Sequence, residues 1–253
     1  LHCRDTLSLH DALPILTSGP SAFSKMPDPL QAGLKIDRVE DIREPPSVTF
    51  NTEAPLKEAG LLDLVDQALQ SGPSEDAVAH IAHAIQRQKS HNTSAGYLPI
   101  HVDLELIDAI VLHIGMQAIE NAAQKGGPIF MQGSPDSALL TMLIHELSSE
   151  ARYYFVNSMA NHLRFPNAHT LYFSQALLDV FGNDMNDQEE SDIRQQITRV
   201  LLERLIGPWP QPWGLLITIF ELIKNEKYMF FDLPFIKSAP EVIHIMRSLG
   251  TGQ

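Results

Sequence analysis

The chain has 253 residues, of which 44% are hydrophobic and 19% charged, with 31 Asp and Glu against 18 Lys and Arg, for a formal net charge of −13. This composition belongs to an ordered globular chain, and its acidic balance repels phosphate backbones and argues against a broad nucleic-acid footprint. The apolar run from Trp213 to Phe220 ends at Glu221, far short of the roughly 20 residues that span a bilayer, so no transmembrane helix and no membrane partner are expected.

Residues 1–15 stand apart. Thr6 to Ile15 (TLSLHDALPI) back-translates in one frame to a common sequencing-library adapter, so the segment reads as foreign to the fold and the natural chain as starting elsewhere. Setting it aside removes the single cysteine, Cys3, and with it any disulfide or Cys metal site, and leaves the net charge at −12.

Residues 16–53 are Pro-rich and weakly periodic, which predicts an extended or short-helical lead-in; residues 54–253 then read as a helical-repeat domain. Leu56, Leu61, Leu62, Val65 and Leu69 form an apolar stripe ending at Ser71, Gly72 and Pro73. Ser74, with Glu75 and Asp76 behind it, caps a second helix through Val78, Ile81 and Ile85. After a polar break from Lys89 to Gly96, a long helix is predicted over Val102 to Gln124, with Gly115 inside it marking a close approach. Gly126, Gly127, Pro128, Gly133 and Pro135 mark a loop, followed by helices over Ser137 to Leu147, Glu150 to Leu163 and Ala168 to Phe181.

The acidic stretch Gly182 to Asp192 reads as a connector before a helix from Ile193 to Leu205, whose Arg199 and Glu203 lie four apart on the outer face. Gly207 and Pro208 stop that helix, and Pro212 opens the next, whose apolar stripe is Trp213, Leu216, Ile217, Phe220 and Ile223. A last helix is predicted over Pro240 to Leu249. No stretch alternates with period two. The fold expected is all-α: stacked antiparallel helical pairs in an irregular HEAT-like solenoid.

No residue set reads as catalytic, cofactor-binding or metal-binding. His145-Glu146-Leu147-Ser148-Ser149 has Ser149 where a zinc protease needs its second His. His80 and His83 share a helix face without a third ligand nearby, and the phosphate-cradling and nucleophile-elbow glycine motifs are absent. Asn92-Thr93-Ser94 matches a glycosylation acceptor with no secretory signal beside it. Two alternative readings are a helical metal-dependent hydrolase using His145 and Glu146, and a helical-repeat RNA binder, which the charge disfavours.

The aromatic corners offer docking candidates. Trp209, Pro210, Pro212 and Trp213 crowd one helix junction, as a packed corner or as a surface for an extended peptide. In Phe165 to Phe173, Asn167 is the expected helix cap, and Tyr172 and Phe173 point about 100° apart, which predicts that one of them is exposed. The candidate partner-binding residues are Phe165, Tyr172, Trp209 and Trp213.

The strings RFPNAHTLYFSQALLDVFG, IRQQITRVLLERLI, PWGLLITIFELIKN and SAPEVI closely resemble the C-terminal domain of the largest scaffold subunit, Not subunit one, of the CCR-NOT deadenylation complex. The resemblance extends through LIDAIVLHIGMQAI and RYYFVNSMANHLRFPN, more loosely through AFSKMPDPLQAGLKID, and covers most of residues 22–250. It implies a HEAT-like stack with no catalysis and no cofactor. It also implies docking of the Not subunit two and Not subunit three/five pair, and a role in mRNA deadenylation, translational repression and transcriptional regulation, in the cytoplasm and the nucleus. Regulatory RNA-binding proteins are further candidate partners, with no direct nucleic-acid contact. The chain departs from the family at Gly207 to Pro212, where a basic residue is usual, and it lacks the upstream helices with which the family's domain begins. A stack shortened in this way is expected to expose an apolar face and to lose stability or self-associate.

Overall fold

The computed structural model describes residues 51–86, 102–182, 188–206 and 212–251. The expected foreign segment 1–15, nearly all of the 16–53 lead-in, the Asn92-Thr93-Ser94 acceptor and Trp209 lie outside the described residues.

Every regular element among the described residues is helical: α1 (Glu53–Glu58), α2 (Leu62–Ser71), α3 (Glu75–Ile85), α4 (Leu104–Lys125), α5 (Pro135–Glu146), α6 (Ser149–Ala160), α7 (Ala168–Gly182), α8 (Gln188–Leu205), α9 (Trp213–Lys224), two 3-10 turns (Glu226–Tyr228 and Phe230–Asp232), α10 (Pro234–Lys237) and α11 (Pro240–Thr251). Local chemistry sets the boundaries. Ser74 accepts from the Ala77 amide, Asp103 from Leu106 and Ser148 from Ala151, each satisfying an amide with no partner inside its helix. Gly126 ends α4 in the left-handed conformation, at φ 65°.

The first apolar stripe, expected as one helix, is two. Gly60 sits at φ 69°, and the Leu61 and Gly60 amides donate to the Leu56 and Lys57 carbonyls in the pattern of a Schellman stop. Leu56 and Leu61 are buried on both sides of the break, so the stripe continues although the helix does not. The acidic connector is likewise shorter than expected, because α8 already begins at Gln188.

The helices stack in two rows. One runs α2, α4, α6, α8 and the other α3, α5, α7, α9, α11, each helix packing on the next-but-one in sequence. This is the all-α, solenoid-like stack that the helical pairs predict. Helix α7 lies at its centre, touching α4, α5, α6, α8 and α9, and 11 of its 15 residues are buried. Gly115 of α4 permits that approach, since a Cβ there would stand 2.5 Å from Phe173 Cζ.

Several polar groups inside the stack are paired with helix ends and neighbouring helices. Arg152 of α6 donates through Nε to the Ile144 carbonyl at 2.6 Å and through Nη2 to those of Leu147 and His145, capping the C-terminal end of α5. His145 and Glu146 of the incomplete zinc motif thus belong to a capped helix end. His113, buried in α4, contacts Thr52 through Nδ1 at 3.2 Å and Asp66 through Nε2 at 2.8 Å, tying the first two helices to α4. Ser174 of α7 and Thr218 of α9 bond at 2.7 Å where those helices cross.

Candidate docking corner

The turn between α6 and α7, residues 161–167, meets the start of α9 and the end of α8 at one corner of the stack. Its conformation is fixed by short-range bonds. The Arg164 amide donates to the His162 carbonyl, Thr170 Oγ1 donates to the same carbonyl at 2.7 Å, and Asn167 Oδ1 accepts from the Thr170 amide at 2.9 Å, so Asn167 caps α7 as its position suggests. The Gly214 amide then donates to the Arg164 carbonyl at 3.0 Å. Contact is this close because position 214 has no side chain: a Cβ there would lie 2.3 Å from Thr170 Cγ2 and 2.9 Å from the Leu163 carbonyl carbon.

Two guanidinium groups converge on the turn. Arg164 Nε donates to the Asn161 carbonyl at 3.0 Å, and Arg204 of α8 donates through Nη2 to Asn161 Oδ1, to Asn157 Oδ1 at 2.8 Å and to the Asn157 carbonyl at 2.9 Å. All these partners are neutral. Among the described residues, neither Arg164 nor Arg204 has a carboxylate within ion-pair reach. The nearest in sequence, Glu203, accepts instead from Tyr153 Oη at 2.6 Å and Arg199 Nε at 2.7 Å, on the outer face where the Arg199 and Glu203 pair was expected. Burial lowers the Arg204 pKa, and the like charge of Arg164 lowers it further.

Beneath the turn, the His162 ring stacks on Phe173 at 4.4 Å and lies 6.0 Å from His169. Burial, with the positive charge of His169, Arg164 and Arg204 added, pushes the His162 pKa down to about 3; burial alone takes His169 to about 4. Both are therefore neutral at pH 7, and their Nδ1 atoms are buried without a hydrogen-bond partner among the described residues.

The candidate anchors separate here. Phe165 is 40% exposed at the rim of the corner. Trp213 opens α9 half-buried, beside the Gly214 contact. Tyr172 is not a surface anchor: it is 0% exposed, donates to Asp136 Oδ2 at 2.8 Å and packs edge-on against Phe130 and Phe173. Phe173 is also 0% exposed, so neither member of the pair faces solvent. The expectation of one exposed ring assumed a helix with one buried side, and α7 has neighbours all round. Burial and the adjacent Asp136 carboxylate hold the Tyr172 hydroxyl well above its ordinary pKa.

Sequence periodicity did not single out Arg164, Arg204 or Ile206. Ile206, the residue after α8, is 73% exposed. The one signal available beforehand was an apolar residue outside any stripe, just before the Gly207-Pro208 stop.

A family model described as CCR4-Not complex component, Not1, matches residues 12–250. The General negative regulator of transcription subunit 1 of Schizosaccharomyces pombe is 33% identical over 236 residues, which take in 93% of this chain and 11% of that protein. The CCR4-NOT transcription complex subunit let-711 of Caenorhabditis elegans is 32% identical over 239 residues, 93% of this chain and 9% of that protein. Among solved structures, the NOT1 superfamily homology domain from Chaetomium thermophilum superposes with a TM-score of 0.74 at 55% identity, covering 80% of this chain and 39% of that one. A Not1 C-terminal domain in complex with Not4 gives a TM-score of 0.65 at 31% identity, covering 77% of this chain and 38% of that one. The chain spans about a tenth of the length of the curated relatives it matches.

Proposed function

Because the chain belongs to the Not1 family of CCR4-Not complex components, we propose that it is a docking segment of the scaffold that holds the Not subunit two and Not subunit three/five pair. The relatives are named as regulators of transcription and complex subunits, a non-catalytic role, and the chain is not an enzyme. The observation that carries the reading is likeness along nearly the whole length, 93% of the chain in the curated relatives, to proteins that act as members of an assembly. A stack of this kind works by presenting rigid surface. Partners bury apolar side chains against it, and tethering raises the local concentration of whatever enzymes the assembly carries, so that mRNA deadenylation, translational repression and transcriptional regulation proceed without a bond being made here.

Not4 is a second candidate partner, because a relative 31% identical to this chain has been solved in complex with it. The experiment is co-expression of the chain with the Not subunit two and Not subunit three/five pair, and separately with Not4, followed by size-exclusion chromatography. Co-elution with the pair supports the assignment. If Not4 alone co-elutes, the segment holds a different partner; if none does, docking is wrong for this segment. A fluorescent fusion followed in cells tests the expected cytoplasmic and nuclear residence.

A further inference from the structure

We infer that the corner formed by the α6–α7 turn and the end of α8 seats an acidic peptide segment carrying an apolar anchor, supplied by a partner subunit. The inference rests on the docking reading above and adds where one contact lies and what chemistry it selects.

Two independent features meet there. The first is charge. Arg164 is exposed and uses Nε on the Asn161 carbonyl, while Arg204 donates through Nη2 to Asn157 and Asn161; both cations rest on neutral oxygens at the end of α6 and the turn after it, and no carboxylate among the described residues opposes them. Two like charges held together raise each other's energy, which no carboxylate among the described residues relieves. A carboxylate arriving from outside relieves it, and the exposed Arg164 fork suits bidentate recognition. The rest of the chain favours the same outcome: with a net charge of −13, most of the surface turns an acidic segment away, while the corner attracts it.

The second feature is apolar surface flanking the charge. Phe165, 40% exposed, follows Arg164 directly. An acidic segment with an aromatic or aliphatic side chain places its carboxylates on the basic corner and its anchor against Phe165. Phosphate backbones would satisfy the cations equally, but leave Phe165 without apolar cover and meet the chain's overall negative field.

The test places p-benzoylphenylalanine at position 165 in the full chain, assembles it with the Not subunit two and Not subunit three/five pair and with Not4, and maps photo-crosslinks by mass spectrometry. A cross-link to an acidic stretch of a partner subunit is expected. Arg164→Glu should weaken that partner about tenfold, Arg164→Lys, which keeps the charge but loses the fork, should weaken it by less, and the Arg164→Glu loss should shrink at high salt. Assembly without a cross-link from position 165, or a cross-link to a neutral or basic stretch or to a second copy of this chain, overturns the inference and leaves the docking reading standing. Tight binding of a fluorescent oligouridylate that Arg164→Glu abolishes also overturns it, in favour of RNA. Failure of every partner to assemble overturns both.

Discussion

Substituting Ala for Gly214 puts a methyl group where the structure has no room. The new Cβ would stand 2.3 Å from Thr170 Cγ2 and 2.9 and 3.1 Å from the carbonyl carbon and Cα of Leu163, against about 3.5–4.0 Å for an ordinary carbon contact. The threonine methyl can yield by repacking, but Leu163 presents backbone, so α9 must move away from the turn. Overpacking of this kind costs about 1–3 kcal/mol, and the higher helix propensity of Ala, about 1 kcal/mol at most, offsets only part of it at the second residue of a helix. The expected net loss is about 1–2 kcal/mol, read as a lower urea midpoint at unchanged slope. Thr170→Ser removes Cγ2 and keeps the Oγ1 donation to the His162 carbonyl, so in the Gly214→Ala background it should restore about half the loss. A Gly214→Ala chain as stable as the parent, or a double variant whose losses simply add, would refute the close approach that builds the corner.

Acid should weaken the same region. His162 and His169 are held at about 3 and about 4, below the ordinary value, so between those values and about pH 6.5 the unfolded chain binds more protons than the folded one. Their contribution is complete above about pH 6.5 and is lost as pH falls toward 4 and then 3, together about 2–4 kcal/mol by pH 5; denaturation midpoints at pH 7.5 and 5 measure it, and a His162→Gln, His169→Gln chain with the same pH dependence would contradict it. Tyr172→Phe strands the Asp136 carboxylate contact and should cost about 1–2 kcal/mol of stability with partner affinity unchanged; a loss of affinity at full stability would return Tyr172 to the surface. Met229, 62% exposed between the 3-10 turns, is the described non-glycine residue at positive φ, 43°. Met229→Gly relieves that backbone at little cost in burial and should raise the melting temperature by about 1–3 °C; a fall would show that the Met side chain is needed for packing.

Helix positions were largely legible because their signals are local. Ser74 before two carboxylates, Asn167 before Ala168 and the apolar steps from Ile193 to Leu205 each carry cap or period within a turn or two. Gly115 was legible for a related reason, since a glycine inside a strongly apolar helix has little use other than close approach. The break at Gly60 was not, because Leu56 and Leu61 keep the stripe intact on both sides of a backbone reversal. Tyr172 was misread because a helix wheel describes one face, and the number of neighbours around α7 is a property of the whole stack.

The basic corner was invisible for a third reason. Arg164 and Arg204 lie in different helical pairs and carry unremarkable local contexts; only the shared partner Asn161 brings them together. Sequence patterns weigh each charge against its helical neighbours at three and four residues, and by that measure Arg204 looked like any surface arginine.

The central claim is that this chain serves by holding other subunits. Its most direct measurement is light scattering on the size-exclusion peak of the chain co-expressed with the Not subunit two and Not subunit three/five pair. A single species with the summed mass of one copy of each is the expected result, and separate elution of the chain at its own mass, with the pair intact beside it, would contradict the account.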